Sequence, residues 1–345
     1  MRRLQKPKLL FAIVLLISVS LYLALFFNIK TTYRERMHAL ELLLKERLFD
    51  NATTAPGQNA ASFVASTVST STSHSAMNTT KAYDPIQAAL ATERAAAELL
   101  RQPVVNFHDY EYLRNPVGAC EVSETEVLFV VPTAPRNFER RKRVRAGILG
   151  KYVSAPSNNA TLLFFAGAPN CTESTPKIQS HLDDEFRTYG DLVQESFVDV
   201  YTNIRLKAVS MLRWAVTYCK HAKYVIRTDD DVMVNVSRIV SALKRTGTVY
   251  TDFILGNRKD GWTPVRNTSE DYLKYAVSEE EYPNSTYPRF ALGGLLGYPL
   301  STVTLLYQAA LRTKPLWLDD VYITGICASR LKVPVLNDTE FVFQH

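Results

Sequence analysis

The chain has 345 residues, 40 lysines and arginines against 34 aspartates and glutamates, and four cysteines. A net charge of +6 is modest, and its densest basic run, "RNFERRKRVR" from Arg136 to Arg145, could attract an anionic ligand but on charge alone reads as the solvated face of a helix. The cysteines show no CxxC or Cys/His spacing, so zinc is not indicated.

Residues 1–8, "MRRLQKPK", read as a cytoplasmic tail, and Leu9 to Ile29 is an uncharged apolar run. A run of that kind spans a bilayer as a helix once it reaches about 20 residues. A cleavable signal peptide is the competing reading, but its apolar core is usually about 7–15 residues and ends in small residues; this one ends in "FFNIK". Arg2, Arg3, Lys6 and Lys8 keep the N-terminus cytoplasmic, a bias that Lys30, Arg34 and Arg36 weaken. The expectation is a signal anchor at 9–29 and a type II membrane protein whose remainder faces the secretory lumen. Sequons begin at Asn51, Asn78, Asn159, Asn170, Asn235, Asn267, Asn284 and Asn337, which agrees with that setting. So do Cys120, Cys171, Cys219 and Cys327, an even count that permits two disulfides, with four buried thiols as the alternative. Nucleic acid is disfavoured as a partner by the same location.

After the span, "KTTYRERMHALELLLKERLF" can continue as a helix, and Asn51 to Thr80 is a Ser/Thr/Ala-rich spacer that cannot bury much apolar surface. "DPIQAALATERAAAELLR" predicts a helix begun by Asp84 and Pro85. The whole of 30–118 reads as stem and linker, and the composition changes near Cys120. From 119 to 345 strands and helices alternate. "EVLFVVPTA", "ATLLFFAGA", "KYVIRT" and "DFILGN" predict strands; "RNFERRKRVRAGILGKY", "NIRLKAVSMLRWAVTYC" and "VSRIVSALKR" predict helices. That alternation is the pattern of one α/β domain, a largely parallel sheet covered on both faces.

"KYVIRT" delivers Asp229, Asp230 and Asp231 to the carboxyl edge of such a sheet, where ligands sit. Alternation points Asp229 and Asp231 one way and Asp230 the other. Two convergent carboxylates suit Mn²⁺ or Mg²⁺, which in turn binds phosphate oxygens. An acidic loop or a helix N-terminus is the plainer explanation of the same tripeptide.

Five blocks in order resemble the β-1,3-galactosyltransferase/β-1,3-N-acetylglucosaminyltransferase family. They are "LFVVPTAPRNFERRKRVR", "YGDLVQESFVDVYTNIRLKAVSMLRWAVTYC", "KYVIRTDDDVMVN", "YPRFALGGLLGYPLS" and "LDDVYITGIC". The resemblance implies a GT-A fold, a Rossmann-like, mostly parallel sheet flanked by helices, over 119–345. It also implies a Golgi membrane location, a UDP-sugar donor and a glycan acceptor on glycoprotein or glycolipid; such a fold also admits a homodimer. By the same resemblance Asp231 and Asp229 are the metal ligands, Asp231 the more direct. Asp230 contacts nucleotide or sugar, and Arg141, Arg145 and Lys207 line the UDP side; plain surface or rim basicity is their alternative. Trp214 and Tyr201 read as core rather than ligand contacts. Gly293 and Gly294 let a loop backbone approach the sugars. Inverting transfer needs a carboxylate base for the acceptor hydroxyl, and Asp320, with Asp319 as neighbour or substitute, fills that role; helix N-capping is the structural alternative.

The sequence departs from the family in places. Ile148 stands where a Trp is expected, the loop reads "GGLLGY", and the Gly of "DDVYITG" comes one residue later than in some members. The chain stops at "FVFQH", before the last strand whose His can complete the metal site in the family, and His345 matches an earlier position. The sequence therefore points to a UDP-sugar β-1,3-glycosyltransferase, with a catalytically impaired glycan-binding or partner-stabilising protein on the same scaffold as the alternative and a glycosidase ranked third.

Overall fold

The computed structural model describes residues 84–343 apart from 122–124, 171–174 and 267–272. The apolar run 9–29 and the spacer 51–80 lie outside the described residues; among those described, no helix is long and apolar enough to cross a membrane.

Four strands become the centre of the sheet. β2 (Val127–Pro132), β3 (Ala160–Ala168), β4 (Leu192–Val198) and β5 (Tyr224–Thr228) lie side by side in the order β4-β3-β2-β5, all parallel. Central parallel strands are buried on both faces, so β2 and β3 read as nearly unbroken apolar runs, while β4 carries Gln194, Glu195 and Ser196. The remaining neighbours extend the sheet. β1 (Tyr112–Arg114) runs antiparallel to β4, and β7 (Phe290–Pro299) runs antiparallel to both β5 and β6 (Ile254–Lys259). β8 (Val335–Asn337) closes the far side parallel to β6. The expected α/β architecture, a mostly parallel sheet between helices, is the one adopted.

The pleat divides the strand residues between two cores. Val127, Phe129 and Val131 pack with Leu149 of α3 (Ile148–Val153), Ile178 and Leu182 of α4 (Thr175–Tyr189), and Ile239 and Leu243 of α6 (Val236–Gly247). On the other face α5 (Ile204–Tyr218) covers β2 and β3, with Trp214 edge-on to Phe165, and α7 (Leu300–Leu311) covers β5 and β7. Trp214 is fully buried and donates to Asn115 Oδ1 at 2.8 Å, a core role as expected.

Two boundaries differ from the sequence expectation. The basic segment forms two helices, α2 (Phe138–Ala146) and α3, because Gly147 is extended and its N–H turns back to Val144 O. The Cβ of any other residue at position 150 would collide with the Arg145 carbonyl, so the second helix can press this closely on the first only through a glycine. Secondly, residues 84–118, expected as linker, are packed onto the body. α1 (Pro85–Leu100) starts where Asp84 accepts from the Ile86 and Gln87 N–H groups. It buries Ala96, Leu99 and Leu100, and Thr92 donates to Lys332 O. Val105 and Asn106 then donate to Leu311 O, and Glu111 pairs with Ser196 beside β4.

Cys120 and Cys219 form a disulfide with Cα atoms 5.3 Å apart, fastening the segment before β2 to the end of α5. Cys327 is a buried thiol, and Cys171 lies outside the described residues. The bridge closes a loop of 99 residues. In the chain-entropy view, losing such a constraint costs about 2–5 kcal/mol. Replacing both cysteines with serine should therefore lower the urea midpoint under non-reducing conditions by the equivalent of that range; an unchanged midpoint would show that the bridge constrains nothing.

Candidate active site

β2, β3, β4, β5 and β6 all end at the edge where β7 begins, since Thr228 pairs with Leu295 and Lys259 with Phe290. The Asp229 N–H extends the ladder by one bond to Gly294 O, at 3.0 Å, and the chain then turns through Asp230 and Asp231. The three aspartates separate as strand alternation predicts. Asp230 turns inward, its side chain 6% exposed, while those of Asp229 and Asp231 are 31% and 45% exposed.

Asp230 is a strut. It accepts from Thr133 Oγ1 at 2.6 Å, Asn137 Nδ2 at 2.9 Å and an Arg140 guanidinium nitrogen at 2.9 Å, tying the end of β5 to the β2–α2 loop. The residue expected to contact nucleotide or sugar thus bonds three protein donors. The same Arg140 nitrogen donates to Asp231 at 2.7 Å.

The two arginines singled out from the sequence face elsewhere. Arg141 is fully buried, forked onto Glu185 at 2.8 and 2.6 Å and donating to the carbonyls of Ala134 and Pro135. Arg145 forks onto Asp191 at 2.7 Å for each bond and lies over the Phe164 and Tyr189 rings. Spaced four apart, the pair shares one face of α2, and that face turns toward α4. Lys207 is likewise a buried strut, donating to Thr133 O at 2.7 Å and to Asp199 at 2.9 Å. Asp199 in turn accepts from the Gly167 N–H at 2.7 Å. Arg141 and Lys207 thus shape the β2–α2 loop, Arg145 ties α2 to Asp191 and Glu185, and the head of each of the three is engaged by protein groups.

Gly293 and Gly294 belong to strand β7, not to a loop, and their missing side chains make room for protein groups. A Cβ at 293 would sit 3.2 Å from Arg227 and 3.4 Å from Asp320, and one at 294 would strike the Phe343 ring. The Gly293 N–H points at Asp320, 3.3 Å away.

Asp319 and Asp320 meet this edge after α7. Asp319 is buried against the Arg227 guanidinium, and Arg227 also reaches Asp229 at 3.4 Å. Arg227 thus connects the acids after β5 with the pair at 319–320. Asp320 is half-buried and accepts from the Val321 N–H at 2.7 Å, capping the π-helical segment Val321–Cys327. Burial and the adjacent Asp319 carboxylate push the Asp320 carboxyl up to about 7, against the pull of the Val321 and Gly293 N–H groups and of Arg227. Burial also raises Asp229, with Arg227 pulling the other way.

Tyr201, expected in the core, is instead 50% exposed and stands against Trp317, with ring centroids 5.8 Å apart. Its phenol is pushed up to about 12 by partial burial and by the nearby charges of Tyr275, Asp319, Asp320 and Asp229. Arg140, Arg227, Tyr201 and Trp317 are the site residues that sequence reasoning missed. Helix geometry offered one signal: if Arg141 and Arg145 turn inward together, Arg140, about 100° round the helix, faces a different neighbour.

Four carboxylates, at 229, 230, 231 and 319, share the guanidinium groups of Arg140 and Arg227, and Asp320 follows Asp319 with backbone N–H partners only. The surplus charge is negative and reaches solvent through Asp229 and Asp231. Those hard oxygens fit a divalent cation of the Mn²⁺ or Mg²⁺ kind, which needs only one or two carboxylates when phosphates complete its coordination. Among the described residues no three His, Cys, Asp or Glu side chains gather into a metal-holding group.

The Galactosyltransferase family model matches residues 139–339. Human "Lactosylceramide 1,3-N-acetyl-beta-D-glucosaminyltransferase" is 32% identical over 228 residues, 65% of this chain and 59% of that protein. Mouse "Beta-1,3-galactosyltransferase 1" is 26% identical over 247 residues, 70% of this chain and 72% of that protein, and human "Beta-1,3-galactosyltransferase 2" is 28% identical over 244 residues, 70% and 56%. The match thus spans 59% of the length of the first of these relatives. Among solved structures, a mannosyltransferase from Pyrobaculum calidifontis superposes with a TM-score of 0.37 and 16% identity over 75% of this chain and 66% of that one, too slight a likeness to bear on fold or chemistry. With the family's model covering more than half of its length, the chain belongs to the galactosyltransferase family.

Proposed function

We propose that this protein is an inverting, metal-dependent hexosyltransferase with a GT-A fold. In this reading it moves a hexose or N-acetylhexosamine from UDP to the 3-hydroxyl of a glycan on glycoprotein or glycolipid. The observation that carries the reading is the arrangement at the strand edge. Arg227 ties the partly exposed Asp229 to the buried Asp319; Asp231 follows two residues after Asp229 and stays partly exposed, and Asp320, a half-buried carboxyl with a raised pKa, follows Asp319. The names of the relatives support the β-1,3 linkage and the sugar class.

Asp231 and Asp229 would hold the divalent cation, which when bound neutralises charge on the departing diphosphate. Asp320 keeps its carboxylate fixed between the Val321 and Gly293 N–H groups, with lone pairs left to accept a proton. In the transfer step the acceptor oxygen bonds to the anomeric carbon as that carbon's bond to the phosphate oxygen breaks. The acceptor proton goes to Asp320, and the leaving electron pair stays on UDP. A base with a pKa near the working pH is suited to this exchange. Asp319, locked on Arg227, fixes its neighbour in place. Tyr201 and Trp317 supply an aromatic wall beside the base, against which a sugar's apolar face can lie.

A Golgi, type II membrane setting with the folded unit luminal completes the proposal. It is supported by the apolar run 9–29, by the disulfide, and by the sequon residues Asn159, Asn170, Asn235, Asn284 and Asn337, all of them exposed. Protein expressed through the secretory pathway should shift to lower mass on treatment with peptide N-glycosidase F; an unchanged mobility would contradict luminal residence.

The function is tested with purified protein, Mn²⁺, a panel of UDP-sugars and a panel of glycan acceptors, comparing wild type with Asp320→Asn. Loss of a positioned base removes about 10²–10⁴-fold in rate, so the variant should retain UDP binding but lose transfer by that factor. Wild-type turnover should rise through pH of about 7 and level off above it, as Asp320 ionises. A wild type that transfers no UDP-sugar would overturn the proposal. Stability should move in the opposite sense. A carboxyl raised in the folded state above its ordinary value of about 3.9 stabilises fully below that value, and the benefit is lost as pH climbs through about 7. Asp320→Asn, neutral at every pH, should therefore gain in melting temperature relative to wild type between pH 5 and pH 8 (about one to two units beyond the unfolded carboxyl and past the folded one).

A further inference from the structure

Arg140 is the cation that the exposed end of the aspartate cluster meets. Its side chain is 41% exposed, and one guanidinium nitrogen serves both Asp230 Oδ1, at 2.9 Å, and Asp231 Oδ2, at 2.7 Å. A guanidinium carries five N–H donors in a rigid fork. The other terminal nitrogen and Nε have no hydrogen-bond partner among the described residues, so the fork has donors to spare.

Its two partners differ in what holds them. Asp230 is nearly buried and also bound by Thr133 and Asn137, so it cannot leave. Asp231 is 45% exposed, and Arg140 is its one ion-pair partner among the described residues. An ion pair as exposed as this contributes little and is released at little cost. The bond to Asp230 is a fixed pivot, and the bond to Asp231 is the exchangeable one.

Resting on the proposed donor site, we propose that Arg140 is an exchangeable counter-cation. It holds Asp231 in the free protein, then turns about Asp230 to receive the donor's diphosphate when the divalent cation takes Asp231. Two cations beside one carboxylate repel each other, so Arg140 opposes binding of the metal alone. Once a diphosphate brings its own negative charge, metal and guanidinium are both satisfied, and the unused donors of the fork match phosphate oxygens. The arginine therefore makes metal and nucleotide binding mutually dependent, so that the free site does not fill with metal unproductively. Lysine, a point charge without the fork, would keep the repulsion but lose the second phosphate bond.

The test uses the full folded protein and two probes: Mn²⁺ alone, followed by electron paramagnetic resonance of the free ion, and UDP at saturating Mn²⁺, followed by calorimetry. Arg140→Gln should bind Mn²⁺ alone about three- to tenfold more tightly, as removal of a neighbouring cation in a partly screened site implies. It should bind UDP about tenfold more weakly, the loss of one charge-assisted hydrogen bond. Arg140→Lys should match wild type for Mn²⁺ alone and fall between wild type and Arg140→Gln for UDP. The melting temperature should fall only modestly, because Thr133 and Asn137 still hold Asp230, and Arg140→Lys, which keeps the charge, should restore it. If both affinities of Arg140→Gln stay within about twofold of wild type, well under the tenfold worth of one such bond, Arg140 is a surface ion pair and the inference fails while the donor site stands. If wild type binds neither probe, the donor site itself fails and the inference with it.

Discussion

A guanidinium buried under the end of the central strand holds this site together. Arg227 lies on β5, paired with β2 on one side and β7 on the other, and its side chain is 6% exposed. A buried charge is tolerated only when it is paired and hydrogen-bonded. Burial works against the Arg227 charge, but Asp319 and Asp229 outweigh it and hold the group firmly protonated. The consequence is geometric. Asp229 leaves the end of β5 and Asp319 comes from the segment after α7, and one cation brings the two together. Gly293 lets Arg227 and Asp320 close in: a Cβ there would come within 3.2 Å of the Arg227 guanidinium and 3.4 Å of Asp320.

Around that contact, charged groups divide into those that build and those that remain available. Arg141, Arg145, Lys207, Asp199 and Asp230 are all spent on protein partners: Arg141, Lys207 and Asp230 bond groups of the β2–α2 loop, Asp199 holds Lys207, and Arg145 holds Asp191 and Glu185. Asp229, Asp231, Asp320 and Arg140 keep lone pairs or N–H donors facing solvent. An edge built this way has its shape set by the first group, so that the second can exchange partners without moving the backbone.

Much of the scaffold was legible in the sequence, and the reasons are specific. β2, β3 and β5 are apolar runs bounded by polar segments, and a strand buried on both faces has no other way to read. The aspartates announced themselves because three like charges at a strand end require cations. What stayed hidden depended on facts that only packing decides. β7 contains Gly293 and Gly294 and so resembled a loop, although both glycines answer to side chains arriving from other elements. The basic run gave its composition but not its facing, so Arg141 and Arg145 drew attention while Arg140 made the contact. Tyr201 looked like core because an aromatic beside a helix start usually is, yet it stands exposed against Trp317. The segment 84–118 looked like linker for the same reason, since nothing in an Ala-rich helix says what its apolar face will meet.

The central claim is that the edge formed by Asp229, Asp231, Arg227 and Asp320 binds a nucleoside diphosphate through a divalent cation. Titration of UDP into the purified protein, with Mn²⁺ and then with chelator in its place, tests it most directly. The account predicts heat of binding in Mn²⁺, none in chelator, and loss of the Mn²⁺-dependent signal in Asp231→Asn with the fold intact. Binding of UDP that ignores the metal, or that survives Asp231→Asn unchanged, would contradict it.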